Sequence, residues 1–261
     1  MTLDPVRDAL LTFFDVSGPW LLLYFFLINT SYLVLIVLAS VNFGRHLRRT
    51  QFSGTTSAAR SPLTPGVSVL LPAYNEANVI LDSVRSVLDL RYPDHEVVVI
   101  NDGSTDATLE RLVETFGLVR SGRDVAGRIE VRGAVRDVWV PADESIPLVV
   151  VDKENSGRSD SLNMGINVAS RDLVVMVDAD SVLDPDALLV VSKPFADDPQ
   201  NVVATGGVIR AANGCRVVGG RVVDVRMPRS VVARIQVVEY LRSFLLGRAG
   251  WSQAGALILI S

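Results

Sequence analysis

The sequence predicts an α/β domain, a doubly wound and mostly parallel sheet, preceded by one transmembrane helix. Three observations predict it. A long uncharged apolar run lies near the N-terminus. Four short β-branched runs then alternate with stretches of helical periodicity. A cluster of polar residues follows each of those four runs.

Val16 to Gly44 holds no Asp, Glu, Lys or Arg. Its core, Trp20 to Ala39, matches the ~20 apolar residues that span a bilayer as a helix. Trp20 and Tyr24 suit one interface, and Arg45, His46, Arg48 and Arg49 follow the run. The positive-inside rule then places the N-terminus outside and the rest in the cytoplasm, so the chain is single-pass in the cell (plasma) membrane. A cleaved signal peptide would have a basic start and a shorter apolar run, and a buried core helix would be shorter. Asn29, Thr30 and Ser31 interrupt the run, but helical Ser and Thr can bond back to their own backbone. The chain divides into 1–44 with the helix at about 18–43, a basic cytoplasmic linker at 45–66, and an α/β domain at 67–261. From residue 50 the linker is rich in Gly, Ser, Thr and Pro and has no apolar period.

The domain opens with Val67-Ser-Val-Leu-Leu, a buried strand ended by Pro72. Glu76 to Leu90 is a helix with Ile80, Val84, Val87 and Leu88 on one face. Glu96 to Ile100 is the second strand. The turn Asn101 to Asp106 follows, where Ser104 or Thr105 could cap a helix that carries Leu109, Leu112, Val113 and Phe116 and stops at Gly117. Leu148 to Asp152 is the third strand and Ser156 to Ala169 the third helix. Leu173 to Val177 is the fourth strand, and Asp184-Pro185 starts another helix. Residues 119–147 break the alternation. With short β-like patches at Ile129-Glu-Val and Asp137-Val-Trp-Val, they read as an inserted hairpin or flap. Ile235 to Leu246 reads as an interfacial helix with the polar stripe Gln236, Glu239, Arg242 and Ser243, or as a core helix on the sheet. Trp251 fits headgroup depth, and Gly255 to Ile260 is a strand candidate.

The net charge of -4 argues against a nucleic-acid partner. Cys215 is the only cysteine, so an internal disulfide and a Cys-rich zinc site are excluded. With His46 and His95 the only histidines, a histidine metal site is improbable. A hard cation held by carboxylates and phosphates fits better. No G-x-G-x-x-G follows a strand and no P-loop motif occurs, which counts against dinucleotide and P-loop enzymes.

Ligands of open α/β sheets bind beyond the C-terminal ends of the strands. The four polar clusters begin at Pro72, at Asn101, at Asp152 and at Asp178, so they converge on one rim. Asn, Asp, Gly and Ser are ordinary turn residues, which explains one such cluster more easily than four. Asp178 and Asp180 are the sharpest pair. At i and i+2 both carboxylates could face the same way, and a divalent cation would relieve their repulsion and bridge to a diphosphate. Arg158, just after Gly157 near a helix start, suits a phosphate, although a surface arginine is the simpler reading of that residue alone.

Together, Pro72-Ala-Tyr-Asn-Glu-Ala, Asn101-Asp-Gly-Ser-Thr-Asp, Gly157-Arg-Ser-Asp-Ser-Leu-Asn and Val177-Asp-Ala-Asp-Ser resemble family-2 inverting glycosyltransferases, in order and in spacing. The likeness runs from about Val67 to the last residue. The anchor and the stretch after Val231 look most like the membrane-bound, processive-type branch of poly-N-acetylglucosamine, hyaluronan, chitin and cellulose synthases. The resemblance implies the GT-A fold, a UDP-sugar donor, a glycan acceptor, contact with membrane lipid and a Mg²⁺ or Mn²⁺ ion. It implies that Asp102 holds the uracil or ribose and that Pro72, Tyr74, Asn75 and Glu76 line the nucleotide pocket. Asp178 and Asp180 would hold the diphosphate and the metal. Arg158 stands where these enzymes usually carry Lys, and Asn163 fits a small polar position after Leu162.

Two of the family's elements do not occur in the sequence. One is the Thr-Glu-Asp-like motif that carries the general base, and the other is Gln-x-x-Arg-Trp. No catalytic residue is therefore assigned, and Glu154 and Glu239 have no positional claim. The alternative expectation is a truncated or split-gene chain that binds nucleotide-sugar and needs its missing C-terminal part or other synthase subunits to transfer. A membrane scaffold without catalysis would not need four polar clusters on one rim.

Overall fold

The computed structural model describes residues 4–50, 64–122, 125, 127–218 and 221–244. The chain forms two compact units. One holds residues 1–53, 208–211 and 230–261, and the other holds 54–207 and 212–229.

The first unit contains α1 (Asp4–Thr50) and a C-terminal helix, Val231–Leu241. Within α1, Arg7–Val41 is long and apolar enough to cross a membrane, with a mean hydropathy of 2.3. Asn29 and Ser31 in the run bond back to the backbone of their own helix. Asn29 Nδ2 donates to Phe25 O at 2.7 Å and Ser31 Oγ to Ile28 O at 2.7 Å. The helix outruns the expected 18–43 at both ends and absorbs residues 45–50, which were expected in the linker. Pro5 sits in the first turn, where a missing N–H costs nothing, and Arg and Leu after Gly44 are good helix formers. The remainder of that linker, 51–63, lies outside the described residues, as do Trp251 and the strand expected at Gly255 to Ile260.

The second unit is a three-layer α/β domain. Its elements in order are β1 (Val67–Ala73), α2 (Ile80–Leu88), β2 (His95–Asp102), α3 (Thr108–Phe116), β3 (Leu118–Arg120), β4 (Val135–Pro141), β5 (Leu148–Lys153), α4 (Arg158–Val168), β6 (Leu173–Met176) and α5 (Ala187–Asp197). A short antiparallel pair follows, β7 (Arg216–Val218) and β8 (Arg221–Asp224). The C-terminal helix of the first unit is α6.

The six-stranded sheet has the order β3-β4-β5-β2-β1-β6. Strands β5, β2, β1 and β6 are parallel, while β4 runs antiparallel to both β5 and the edge strand β3. Alternate residues of β1 and β2 feed two apolar layers. Val67, Val69, Leu71, Val97 and Val99 pack with Ile80, Val84 and Val87 of α2, Leu112 of α3 and Leu188 of α5. Leu70, Val98 and Ile100 pack on the other face with Met164 and Val168 of α4. Helices on both faces make the sheet doubly wound, as its sequence pattern predicts. Gly165 lets α4 lie close, since a Cβ there would meet Leu70 Cδ1 and Ile100 Cδ1 at 2.9 Å.

Several boundaries differ from expectation for local reasons. β1 does not stop at Pro72 but runs to Ala73. β6 pairs with only Val67 to Leu70, so Pro72 lies past that ladder and its missing N–H breaks no bond on that side. The helix expected from Glu76 is preceded by a turn and begins at Ile80; Val79 N and Ile80 N both donate to Glu76 O, and the free amides of Glu76 and Ala77 donate to Thr108 Oγ1 and Asp106 Oδ2. Neither Ser104 nor Thr105 caps α3. Asp106 Oδ1 takes the Thr108 amide at 3.0 Å instead, while α3 ends on the expected Gly117 in a left-handed conformation, φ 59°. In the insert, Asp137 to Val140 lies in β4 as expected, but Ile129 to Val131 forms no strand. Asn167 Oδ1 accepts from the amides of Arg128 and Ile129, which ties that stretch to α4. The hairpin therefore widens the sheet through β3 and β4. α6 starts at Val231, earlier than the Ile235 expected, and exposes Val231, Val232, Ile235 and Val238. Gln236 and Glu239 of the expected polar stripe are exposed on one side of the helix, and Val232 precedes them on that side.

Candidate functional site

The chain order β1, β2, β5 moves away from β1 in one direction, and β6 then returns to its other side. Loops leaving β1 and β6 thus diverge at their C-terminal ends, which opens a crevice. A cleft of about 290 Å³ lies there, and Pro72, Tyr74, Glu76, Asp102, Arg158, Asp178 and Asp180 line it. Ala73, Ser161 and Ala179 complete the lining.

The loop after β1 is stitched to the loop after β2. Asn75 takes φ 57° and turns its side chain away from the cleft. Its Oδ1 accepts from the Thr105 amide at 2.8 Å, and its own amide donates to Ser104 Oγ at 3.0 Å. Asn75 is thus a loop clamp and not part of the lining expected of it. Tyr74 stays half exposed on the rim. Burial, and then the charges of Asp180 and Asp106, push the Glu76 carboxyl above its usual range.

Asp102 ends β2 and is buried. Its Oδ1 accepts from Lys153 Nζ at 2.5 Å and the Ser156 amide at 3.0 Å, and its Oδ2 from the Gly157 amide at 2.9 Å. Burial alone would raise this carboxyl, but the bonds from Lys153, Ser156 and Gly157 hold it below the usual range. Gly103 follows at φ +67°, and a Cβ there would lie 2.7 Å from the Asn155 amide nitrogen. Glycine is what lets the two loops touch.

Arg158 begins α4, and its Nη2 reaches Asp178 Oδ1 at 2.5 Å. Helical geometry explains why Ser161 lines the cleft and Asn163 does not. At about 100° per residue, Ser161 returns to the face of Arg158 while Asn163 points about 140° away. Asn163 is therefore outside the lining, and Ser161, which was not expected, is part of it.

β6 ends at Met176, so a turn and not the strand itself presents the aspartate pair. Ser181 N closes that turn on Asp178 O at 2.9 Å. Asp178 and Asp180 are exposed while Ala179 is buried, so both carboxylates face the cleft as their spacing predicts. Ser83 Oγ of α2 donates to Ala179 O and fixes the turn from below.

Among the described residues, no group of three or more His, Cys, Asp and Glu has metal-ligand geometry. Two exposed carboxylates fit a hard cation that takes its remaining ligands from water and from substrate phosphate. The sequence reading missed Lys153, Ser156, Asp160 and Ser83. The signal for Lys153 was there: it follows Val151 by two residues, on the face that strand alternation buries.

A family description, glycosyltransferase like family 2, matches residues 65–257. A poly-β-1,6-N-acetyl-D-glucosamine synthase of Staphylococcus epidermidis is 30% identical over 197 residues, which is 75% of this chain and 38% of that protein. The synthase of the same name from Staphylococcus aureus strain MSSA476 is 31% identical over 199 residues, with the same coverage of 75% and 38%. The chain thus spans 38% of the length of these curated relatives. A mannosyltransferase of Pyrobaculum calidifontis, solved with GDP-Man and Mn²⁺, overlaps at TM-score 0.41 and 23% identity over 69% of this chain and 47% of that one.

Proposed function

The chain belongs to glycosyltransferase family 2, matched over residues 65–257, and from that membership we propose that it binds a UDP-sugar and transfers the sugar to a glycan acceptor with inversion. One observation carries the reading: residues at or beyond the C-terminal ends of four separate strands, Glu76, Asp102, Arg158 and Asp178 with Asp180, line one cleft at the switch point of the sheet. The names of the relatives make N-acetylglucosamine the first sugar to test.

The residues divide the work by chemistry. Asp102 accepts a hydrogen bond from the uridine. Arg158 leaves Asp178 for the diphosphate, which it can hold through two parallel N–H bonds. Asp178 and Asp180 hold Mg²⁺ or Mn²⁺, and when bound the ion neutralises charge on the departing UDP. No residue is assigned to deprotonate the acceptor hydroxyl.

α1 is the membrane anchor in this reading. Arg45, His46, Arg48 and Arg49 place its C-terminal end, and the catalytic domain, in the cytoplasm. Reporter enzymes fused before Asp4 and after residue 66 test the orientation, and activity of the outside reporter at the second site overturns it.

Calorimetry of UDP binding with Mn²⁺ and with EDTA tests the site. Binding that EDTA abolishes, and that Asp178→Ala with Asp180→Ala also abolishes, is the expected result. Equal affinity in EDTA refutes the metal. An NMR assignment of the product's anomeric configuration tests inversion.

A further inference from the structure

Among the described residues, Lys153 is the largest side chain that is fully buried. Its Nζ donates to Asp102 Oδ1 at 2.5 Å, to Glu154 O at 2.9 Å and to Ser156 Oγ, and lies 3.4 Å from Asp160 Oδ2. An ammonium group has three protons, and three acceptors are in reach. The carboxylates are equally committed. Asp160 takes the amides of Arg132 at 2.7 Å and Gly133 at 3.2 Å, and the Ser156 hydroxyl at 2.5 Å. A Cβ on Gly133 would stand 2.8 Å from Lys153 Nζ, so backbone seals the cluster.

Stability is a poor reason to keep such a group. A buried ion pair can often be replaced by apolar side chains at no loss. Geometry offers a better one. Lys153 does not line the cleft, but Asp102 does. Lys153 and the Ser156 amide use both acceptor sites of Asp102 Oδ1, and the Gly157 amide uses one of Oδ2. One acceptor site of Oδ2 is left.

We propose that Lys153 is a positioning residue, which fixes the Asp102 carboxylate from behind in one orientation and in its charged form, so that the remaining site on Oδ2 accepts an N–H or O–H of a nucleoside. The role rests on the reading of the cleft as a nucleotide site. Lys153 touches no substrate and acts through Asp102.

The test is a double-mutant cycle on the full chain in detergent with Mn²⁺, read by calorimetry with UDP and with inorganic pyrophosphate. Asp102→Asn and Lys153→Met are each expected to weaken UDP about tenfold and to change pyrophosphate affinity by less than about twofold. Lys153→Met with Asp102→Asn is expected to bind UDP as Asp102→Asn does, because the lysine acts only through that carboxylate. The double variant removes the Lys153–Asp102 pair together, and Asp160 keeps its bonds from the Arg132 and Gly133 amides and the Ser156 hydroxyl, so it completes the comparison even if Lys153→Met alone fails to fold. A double variant well weaker than Asp102→Asn, or pyrophosphate affinity that falls in step with UDP, shows a general structural role and overturns the proposal. A Lys153→Met chain that binds UDP normally beside a weakened Asp102→Asn overturns it too, with the site reading intact. Normal UDP binding by Asp102→Asn overturns the nucleoside role of the cleft itself, and the role of Lys153 with it.

Discussion

Arg158 Nη2 lies 2.5 Å from Asp178 Oδ1, and both side chains line the cleft. The arginine stands beside the aspartate pair as a cation of the protein's own. The two side chains are 61% and 52% exposed, so the pair contributes little, roughly 0–1 kcal/mol, and opens readily.

Arg158→Ala is therefore expected to leave thermal stability nearly unchanged, with Tm moving by less than about 4 °C. UDP affinity should fall by about tenfold or more, since a charged hydrogen bond to phosphate is lost. Arg158→Lys should recover part of the loss, because the charge returns without the planar fork. Thermal melts and calorimetry read the two effects separately. A large Tm loss with unchanged UDP affinity would contradict this account.

Ser83 holds the turn that carries the aspartate pair. Its hydroxyl proton serves Ala179 O in preference to Val79 O, which is farther at 3.1 Å. Ser83→Ala leaves the buried Ala179 carbonyl without that donor, at a cost of about 1–3 kcal/mol. A lower urea midpoint is expected, together with a weaker Mn²⁺-dependent part of UDP binding. Unchanged metal dependence would mean that the turn does not need the bond.

The buried carboxylates set an acid limit. Burial works against Asp160, but bonds from Ser156, Arg132, Gly133 and Lys153 bring its pKa down to about 2. A depressed carboxylate stabilises the fold above its unfolded pKa of about 3.9, and that contribution fades as the pH falls toward the folded value. Asp160→Asn should thus unfold at lower urea than wild type at pH 7, and the two curves should converge near pH 2. A gap that stays constant from pH 7 to pH 2 would rule out the charge as its cause.

Gly103→Ala and Gly165→Ala should differ. At Gly103 the backbone is left-handed, which costs an L-residue about 1–2 kcal/mol, and the new Cβ would meet the Asn155 amide at 2.7 Å. At Gly165 the obstacles at 2.9 Å are side-chain ends of Leu70 and Ile100, which can shift. The larger drop in Tm, and a drop in UDP affinity, is expected for Gly103→Ala. Equal losses in the two variants would remove the special status of the Asn101 to Ser104 turn.

Much of the fold was legible because it is local. The short apolar, β-branched runs in Val67 to Leu71 and Glu96 to Ile100 mark buried strands whatever they pair with. Gly117 announces the end of α3 by its own conformational freedom. Asp178 and Asp180, two residues apart, both line the cleft with the buried Ala179 between them. Asn75 and Asn163 fall outside the cleft lining for the opposite reason. The first is turned aside by Thr105, 30 positions away, and the second by the rotation of α4 against the cleft.

The sequence alone thus determined the long apolar helix α1, the alternation of strands and helices, and the rim on which the polar clusters meet. The tertiary structure decided which of those residues reach the cleft and which ones hold them there. Lys153 and Asp102 are 51 positions apart and meet only because β5 lies beside β2. Ser83 meets Ala179 across 96 positions through the packing of α2. Periodicity is a property of neighbours along the chain, whereas strand order and side-chain partnership follow from the burial of the whole sheet. Asp178 and Asp180 could therefore be read from the sequence, while the partnerships of Lys153 with Asp102 and of Ser83 with Ala179 could not.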